Sequence, residues 1–207
     1  MKVLLINGSP NRNGCTHTAL QTVAAQLQQE GIDTEELHIG NKPIQGCIGC
    51  GVCRKKGNSC VFSDDLVNEA AERLCQADGL VVGTPVYYAG PNGALCAFLD
   101  RLFFSRGSAF AFKPATAVVN CRRGGASAAF DRLNKYFTIA KMPVVSSQYW
   151  NSTHGMTPEE MQSDQEGLQT LRTLGRNMAW LLKCIDIAKD KVPRPTLEQT
   201  VRTNFIR

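Results

Sequence analysis

The sequence predicts an α/β fold: a doubly wound, five-stranded parallel sheet with helices on both faces. Two features predict it. Short apolar runs of strand length alternate with longer stretches whose apolar residues recur every three or four positions. Loops rich in Gly, Ser, Asn and Pro follow the first, third and fourth of those runs, where ligands sit in such sheets.

The elements follow in order. "KVLLIN" (Lys2–Asn7) is an apolar run ending before Gly8, as expected of a buried parallel strand. From about Thr16, Ala19, Leu20, Val23, Ala24 and Leu27 form a helical stripe that Gly31 ends. "DTEELHI" (Asp33–Ile39) is a more polar strand, suited to an edge. Ser63–Ala77 reads as a helix with a Ser/Asp start, Asp64 and Asp65 forming an N-cap pair. "GLVVGTPVYY" (Gly79–Tyr88) begins as a buried strand and is expected to break at Thr84-Pro85. A helix runs from about Asn92 to Phe104, and "PATAVVNC" (Pro114–Cys121) is the fourth strand. Ala128–Ile139 reads as a helix and "MPVVSSQYW" (Met142–Trp150) as the fifth strand. "PEEMQSDQE" (Pro158–Glu166) reads as a solvated helix start. Leu168, Leu171, Leu174, Met178, Leu181 and Ile185 mark a long last helix. Residues 1–189 thus make one domain, and 190–207, with Pro193 and Pro195, an extended arm.

Composition narrows the function classes. The chain has 207 residues, enough for a sizeable core in one domain. Hydrophobic residues make up 43% and charged residues 20%, as in globular proteins. No apolar run approaches the roughly 18 residues that span a membrane. "MKVLLINGSP" reaches a glycine loop too early for a secretory signal, so a cytoplasmic location is expected. There nine cysteines stay reduced, and an odd count cannot pair completely within one chain. The net charge of +5 is scattered; it argues against nucleic-acid binding and suits an anionic small ligand.

Three loops describe one ligand. "NGSPNRNGCT" (Asn7–Thr16) opens a helix, and its backbone N–H groups, with Ser9 and Thr16 hydroxyls and the Arg12 charge, suit a phosphate. It lacks the Gly-Lys-Ser/Thr end of a P-loop and the G-x-G-x-x-G of a dinucleotide site. "TPVYYAGPNG" (Thr84–Gly93) offers a stiff aromatic wall, or else a surface for a neighbouring subunit. "NCRRGGAS" (Asn120–Ser127) has Gly124 and Gly125 for close backbone approach and Arg122 and Arg123 for negative charge or for solvent. A phosphate cradle, an aromatic wall and a polar edge suit a mononucleotide with a large flat ring, FMN.

With "GSPNRNGCT", "CIGCGVCRKKGNSC", "TPVYYAGPNGALCAFLDRLF", "RRGGAS" and "MPVVSSQYW", the chain resembles the NADPH-dependent FMN reductase and iron–sulfur flavoprotein branch of the flavodoxin-like superfamily. The resemblance covers about Lys2–Trp150. It implies FMN phosphate at Ser9, Asn11, Gly14, Cys15 and Thr16. It implies the isoalloxazine beside Pro85, Val86, Tyr87 and Tyr88, with Arg122, Gly124 and Gly125 on its polar edge. Asn11 stands where an arginine is common in relatives, and Arg12 is the substitute charge.

Cys47, Cys50, Cys53 and Cys60 crowd one loop. Four thiolates suit a [4Fe–4S] cluster, and Gly46, Gly49 and Gly51 free the backbone to wrap it. Four thiolates also suit tetrahedral zinc, and a third reading leaves free thiols in a redox loop. Cys75, Cys96 and Cys184 fall on predicted helices as small core or interface residues, and Cys121 ends a strand beside the site, where it packs or supports the ligand's neighbours. His17, His38 and His154 form no metal-spaced set; His154 is a surface residue or a substrate contact.

The expected activity is FMN-dependent oxidoreduction, with NAD(P)H as donor, or ferredoxin if a cluster is present. The acceptor would be small, such as a flavin or quinone. No Ser/His/Asp or Cys/His constellation is present and none is needed. The rivals are an electron carrier without a dedicated substrate and a flavin-binding sensor. The aromatic loops and apolar last helix, with the resemblance, imply a homodimer or homotetramer.

Overall fold

A computed structural model describes residues 1–55, 57–196, 198–201 and 203. The elements are β1 (Lys2–Asn7), α1 (Cys15–Gln29), β2 (Asp33–His38), α2 (Val52–Lys55), α3 (Val67–Gln76), β3 (Gly79–Tyr87), β4 (Gly90–Pro91), α4 (Gly93–Arg106), β5 (Ala115–Cys121), α5 (Ala126–Ile139), β6 (Ser152–His154), α6 (Pro158–Gln162) and α7 (Gln165–Ala188). The strands stand in the order β2-β1-β3-β5-β6. All pair in parallel except β4, which folds back antiparallel on the end of β3.

Alternation along the strands builds two cores. Leu4 and Ile6 of β1, with Leu80 and Val82 of β3, pack against α3, α4 and α5 through Leu74, Phe98, Leu102 and Phe137. Val3 and Leu5, with Val81 and Val118, face α1 and α7 through Leu20, Val23, Leu174 and Met178. Both sheet faces are therefore covered, as near-continuous apolar strands require. The chain leaves β1 toward β2 and returns across it to β3, so the strand order reverses between β1 and β3. Ligand crevices form at that switch point, beyond the carboxyl ends of the strands.

Four expectations need correction. The fifth strand is not Met142–Trp150 but Ser152–His154. The earlier segment makes a single bridge, Val144 to Ala115. The reason is Asn151, whose Nδ2 donates to Thr116 Oγ1 (2.9 Å) and to Ala117 O (3.1 Å). A side chain thus takes a carbonyl that a continuous ladder would have used. The third strand does not break at Thr84-Pro85; both residues pair with β5, through Val119 and Asn120. The residue before proline favours extended backbone, so the Thr-Pro step prolongs the strand. The Ser63 start lies four residues ahead of the helix, because Asp65 turns its carboxylate toward Arg101 while also accepting from Val67 N (3.1 Å). Pro158–Glu166 is two pieces: α6, with Met161 fully buried, and Asp164, which caps α7 by accepting from Gly167 N (2.9 Å).

No helix among the described residues is long and apolar enough to cross a membrane. Beyond α7 the described residues to Thr196 form no helix or strand. Of the predicted arm, Leu197, Arg202 and residues 204–207 lie outside the described residues.

Candidate functional site

The loop after β1 is held from below. Asn7, fully buried at the end of β1, accepts from Ser9 N (3.1 Å) and donates Nδ2 to Arg12 O (3.2 Å) and Glu36 Oε1 (2.8 Å). Glu36 also takes Gln21 Nε2 at 2.7 Å and lies 2.9 Å from His17 Nδ1. His38 Nε2 lies 2.8 Å from Ser9 O. Ser9 is buried, and its Oγ accepts from Asn11 N (3.1 Å). These bonds fix the turn and leave its far side open, with Asn11 and Arg12 exposed there.

Gly14 is the N-cap of α1 and supplies no side-chain acceptor. The N–H groups of Cys15, Thr16 and His17 find no acceptor among the described residues. Thr16 is itself buried, and its hydroxyl, which is not among the buried unpaired atoms, makes no hydrogen bond among the described residues. Unpaired donors at a positive helix end are what a phosphate requires. The Cys15 thiol donates to Gly155 O (3.7 Å), and burial pushes its pKa up, so it packs rather than reacts. If the hydroxyl holds an anion, Thr16→Val lowers affinity for it about tenfold or more, one charge-assisted hydrogen bond being worth about 1.5–3 kcal/mol. Stability without ligand changes by under about 1 kcal/mol, since no partner within the chain is lost. Fluorescence titration with FMN and urea melts check both.

The second loop is locked to the first. Asn92 caps α4, accepting from Ala94 N (3.1 Å), and its Nδ2 reaches back to Gly8 O (2.7 Å). Its own N–H donates to Thr84 Oγ1 (3.1 Å). Between Tyr87 and Gly90 the chain makes a two-residue hairpin, with Tyr88 and Ala89 both left-handed (φ 50° and 59°). Such a turn normally uses Asn and Gly. Bulky residues at positive φ are strained, and strain of this kind concentrates at functional sites. Tyr87 is half exposed and Tyr88 fully exposed, while Pro85 and Val86 are partly buried.

The third loop meets the second. Gly125 is left-handed (φ 89°), and a Cβ there would stand 2.7 Å from Ala89 Cα and 3.0 Å from Val86 Cγ1. Glycine is therefore required for the contact. Arg122, Arg123 and Gly124 are exposed beside it. The three predicted loops thus form one shelf at the switch point. Sequence reasoning missed the residues that join them, Asn7, His38 and Asn92. Only Asn92 left a signal, as an Asn before a helix.

The cysteine loop makes a second site. Cys47, Cys50, Cys53 and Cys60 all line one pocket of about 320 Å³, counting its open mouth, walled by Ile48, Phe62 and Phe104. Gly49 and Gly51 are left-handed (φ 64° and 69°), which turns the chain around it. Cys53 is buried on α2; Cys60 is held by Asn68 of α3, which accepts from Cys60 N (2.8 Å) and donates to Cys60 O (3.1 Å). Arg101 of α4, 1% exposed, closes the floor. Its Nε donates to Cys60 Sγ (3.1 Å), its Nη1 to Gln45 O (3.2 Å) and its Nη2 to Phe62 O (3.1 Å), and it pairs with Asp65. Burial works against the Arg101 charge, but its hydrogen bonds to Asp65 and Cys60 outweigh it and the pKa rises. Among the described residues no three Cys, His, Asp or Glu side chains stand close enough to hold a single ion. Four cysteines lining one apolar concavity supply the donor set of a four-thiolate group. All nine cysteines are free.

One helix spans both places. α4 is capped at the shelf by Asn92 and carries Arg101 into the cysteine pocket, roughly 14 Å further at 1.5 Å per residue.

Residues 1–157 match the family model described as NADPH-dependent FMN reductase. The chain belongs to that family. It is accordingly a flavoprotein oxidoreductase with FMN as its cofactor, and it falls in the iron–sulfur flavoprotein branch. An iron–sulfur flavoprotein of Methanocaldococcus jannaschii is 33% identical over 196 residues, covering 89% of this chain and 99% of that one. An iron–sulfur flavoprotein of Methanosarcina thermophila is 28% identical, covering 92% of this chain and all of that one. Among solved structures, an NAD(P)H:quinone oxidoreductase from Methanothermobacter marburgensis superposes with a TM-score of 0.66 at 18% identity, covering 86% of this chain and 98% of that one. That likeness is one of fold. Within the FMN reductase family the unpaired donors at α1 suit the phosphate of the family's cofactor.

Proposed function

We propose that the three-loop shelf holds FMN and that the chain passes electrons from NAD(P)H, or singly from a ferredoxin-like donor, to a small oxidant such as a flavin or quinone. The unpaired N–H groups of Cys15, Thr16 and His17 carry the reading, because free donors at a helix N-terminus favour an anion. Bound FMN supplies the hydride and electron chemistry. Ser9, Asn11, Arg12, Gly14, Cys15 and Thr16 hold its phosphate. Pro85, Val86, Tyr87 and Tyr88 form the wall for the ring, and Arg122, Gly124 and Gly125 offer positive charge and N–H donors at its polar edge.

We assign the iron–sulfur group to Cys47, Cys50, Cys53 and Cys60, supported by their common pocket and by the names of the relatives. It supplies single-electron chemistry, which favours the ferredoxin-like donor. Anaerobic stopped-flow at the flavin absorbance tests this: NADPH, NADH and reduced ferredoxin are each mixed with oxidised protein. Reduction by at least one donor, reversed by added quinone or flavin, supports the reading. Bound FMN that none of them reduces sinks it.

A cytoplasmic setting suits nine free thiols. The shelf is open, and the Tyr149 and Trp150 rings lie 4.9 Å apart, tilted by 52°, while more than half exposed. We infer that a second copy covers it, making a homodimer or homotetramer. Light scattering of the FMN-loaded protein checks this; a monomer contradicts it.

A further inference from the structure

We propose that Arg101 sets the reduction potential of the iron–sulfur group held by Cys47, Cys50, Cys53 and Cys60, through its hydrogen bond to the Cys60 sulfur. The proposal rests on the assignment of that group to the cysteine pocket.

Arg101 sits in the middle of α4 among Phe98, Leu99 and Leu102, all fully buried. Such a position normally takes an apolar residue, and a guanidinium there must place all its donors. It does so: Nε goes to Cys60 Sγ (3.1 Å), Nη1 to Gln45 O and Asp65 Oδ2, and Nη2 to Phe62 O (3.1 Å) and Asp65 Oδ1 (3.2 Å). Four of these contacts tie down the two ends of the cysteine loop and the approach to α3. The fifth ends on a sulfur, and loop anchoring alone does not need it.

A sulfur that ligates iron carries negative charge, and more of it once the cluster gains an electron. A donor on that sulfur, belonging to a buried cation, therefore stabilises the reduced form more than the oxidised one and raises the potential. Asp65 acts in the opposite sense. It is bound to the far side of the same guanidinium, with its side chain only 14% exposed, and cancels part of the cation's field at the pocket. The two residues should thus move the potential in opposite directions, which a purely architectural pair would not do.

The test uses the full chain purified without oxygen, with iron and sulfide measured on each sample and the potential read by EPR-monitored redox titration. Asp65→Asn keeps an acceptor oxygen for Arg101 and Val67 and removes the opposing charge. It should raise the reduced-to-oxidised ratio at fixed potential at least tenfold, a 59 mV shift for a one-electron couple. The double variant Arg101→Leu/Asp65→Asn removes the sulfur's donor without leaving a buried unpaired charge. It should fall at least tenfold below Asp65→Asn. Both variants titrating at the wild-type potential, with iron intact, overturn the proposal and leave the cluster assignment standing. Wild-type protein that holds no iron, or holds zinc instead, removes the assignment and the proposal with it.

Discussion

Arg101→Ala is expected to cost about 3–5 kcal/mol of folding stability, the range for removing one partner of a buried ion pair. For a chain of this length that lowers Tm by roughly 6–20 °C. The cost arises because Asp65 is left charged and poorly solvated, while the carbonyls of Gln45 and Phe62 lose their donor. The cysteine loop should loosen at the same time. Urea melts on the FMN-free protein measure the loss. Adding Asp65→Ala to the same chain should restore part of it, since the stranded charge is gone. Arg132→Ala is the contrast: its pair with Asp100 is half exposed at 3.4 Å, it donates to the Tyr136 hydroxyl (2.9 Å) and it lies over that ring, so its loss should cost about 1–2 kcal/mol. Equal losses for the two arginines would contradict the role given to Arg101.

Gly8→Val is expected to lower FMN affinity at least about a hundredfold. A Cβ at residue 8 would stand 2.5 Å from Leu95 Cδ2 and 2.8 Å from the carbonyl oxygen of Gly83. Leu95 is packed in the core and the carbonyl is backbone, so neither gives way cheaply. The phosphate loop must lift, breaking Gly8 N to Gly83 O (2.9 Å) and Asn92 Nδ2 to Gly8 O (2.7 Å). Displacing two charge-assisted donors from a phosphate, at about 1.5–3 kcal/mol each, accounts for the affinity loss. Overpacking adds about 1–3 kcal/mol of destabilisation. Gly93→Ala is the control, because a Cβ there meets nothing within 4 Å. It should bind FMN as the parent does. Fluorescence titration of the FMN-free variants decides; wild-type affinity in Gly8→Val would mean the phosphate lies elsewhere.

Much of the fold was legible because its signals are local. The Lys2–Asn7 run, the stripe from Ala19 to Leu27 and the stripe from Leu168 to Ile185 each carry their periodicity within a few turns, and each formed as expected. What was not legible depends on partners far along the chain. Nothing in "MPVVSSQYW" reveals that Asn151, one residue beyond it, will claim the Ala117 carbonyl. Nothing near Arg101 points to Asp65, 36 residues earlier. The Tyr88-Ala89 hairpin was hidden because the residues such a turn prefers are absent and the backbone accepts the strain instead.

The candidate site divides in the same way. The residues proposed to face the ligand lie on three short loops and announce themselves by composition. The residues that position those loops do not. His38 and Asn7 reach the loop after β1 only because β1 and β2 pair in register, Asn7 opposite His38. The four cysteines were visible as a crowd. That they share one pocket depends on Asn68 and Arg101, which hold Cys60 from two different helices.

The most direct test of the account is the content of FMN, iron, acid-labile sulfide and zinc per chain, on protein purified without oxygen. About one FMN is expected, with about four iron and four sulfide, as one cubane cluster requires. A chain that takes up no FMN even when it is supplied in excess would contradict it at its centre.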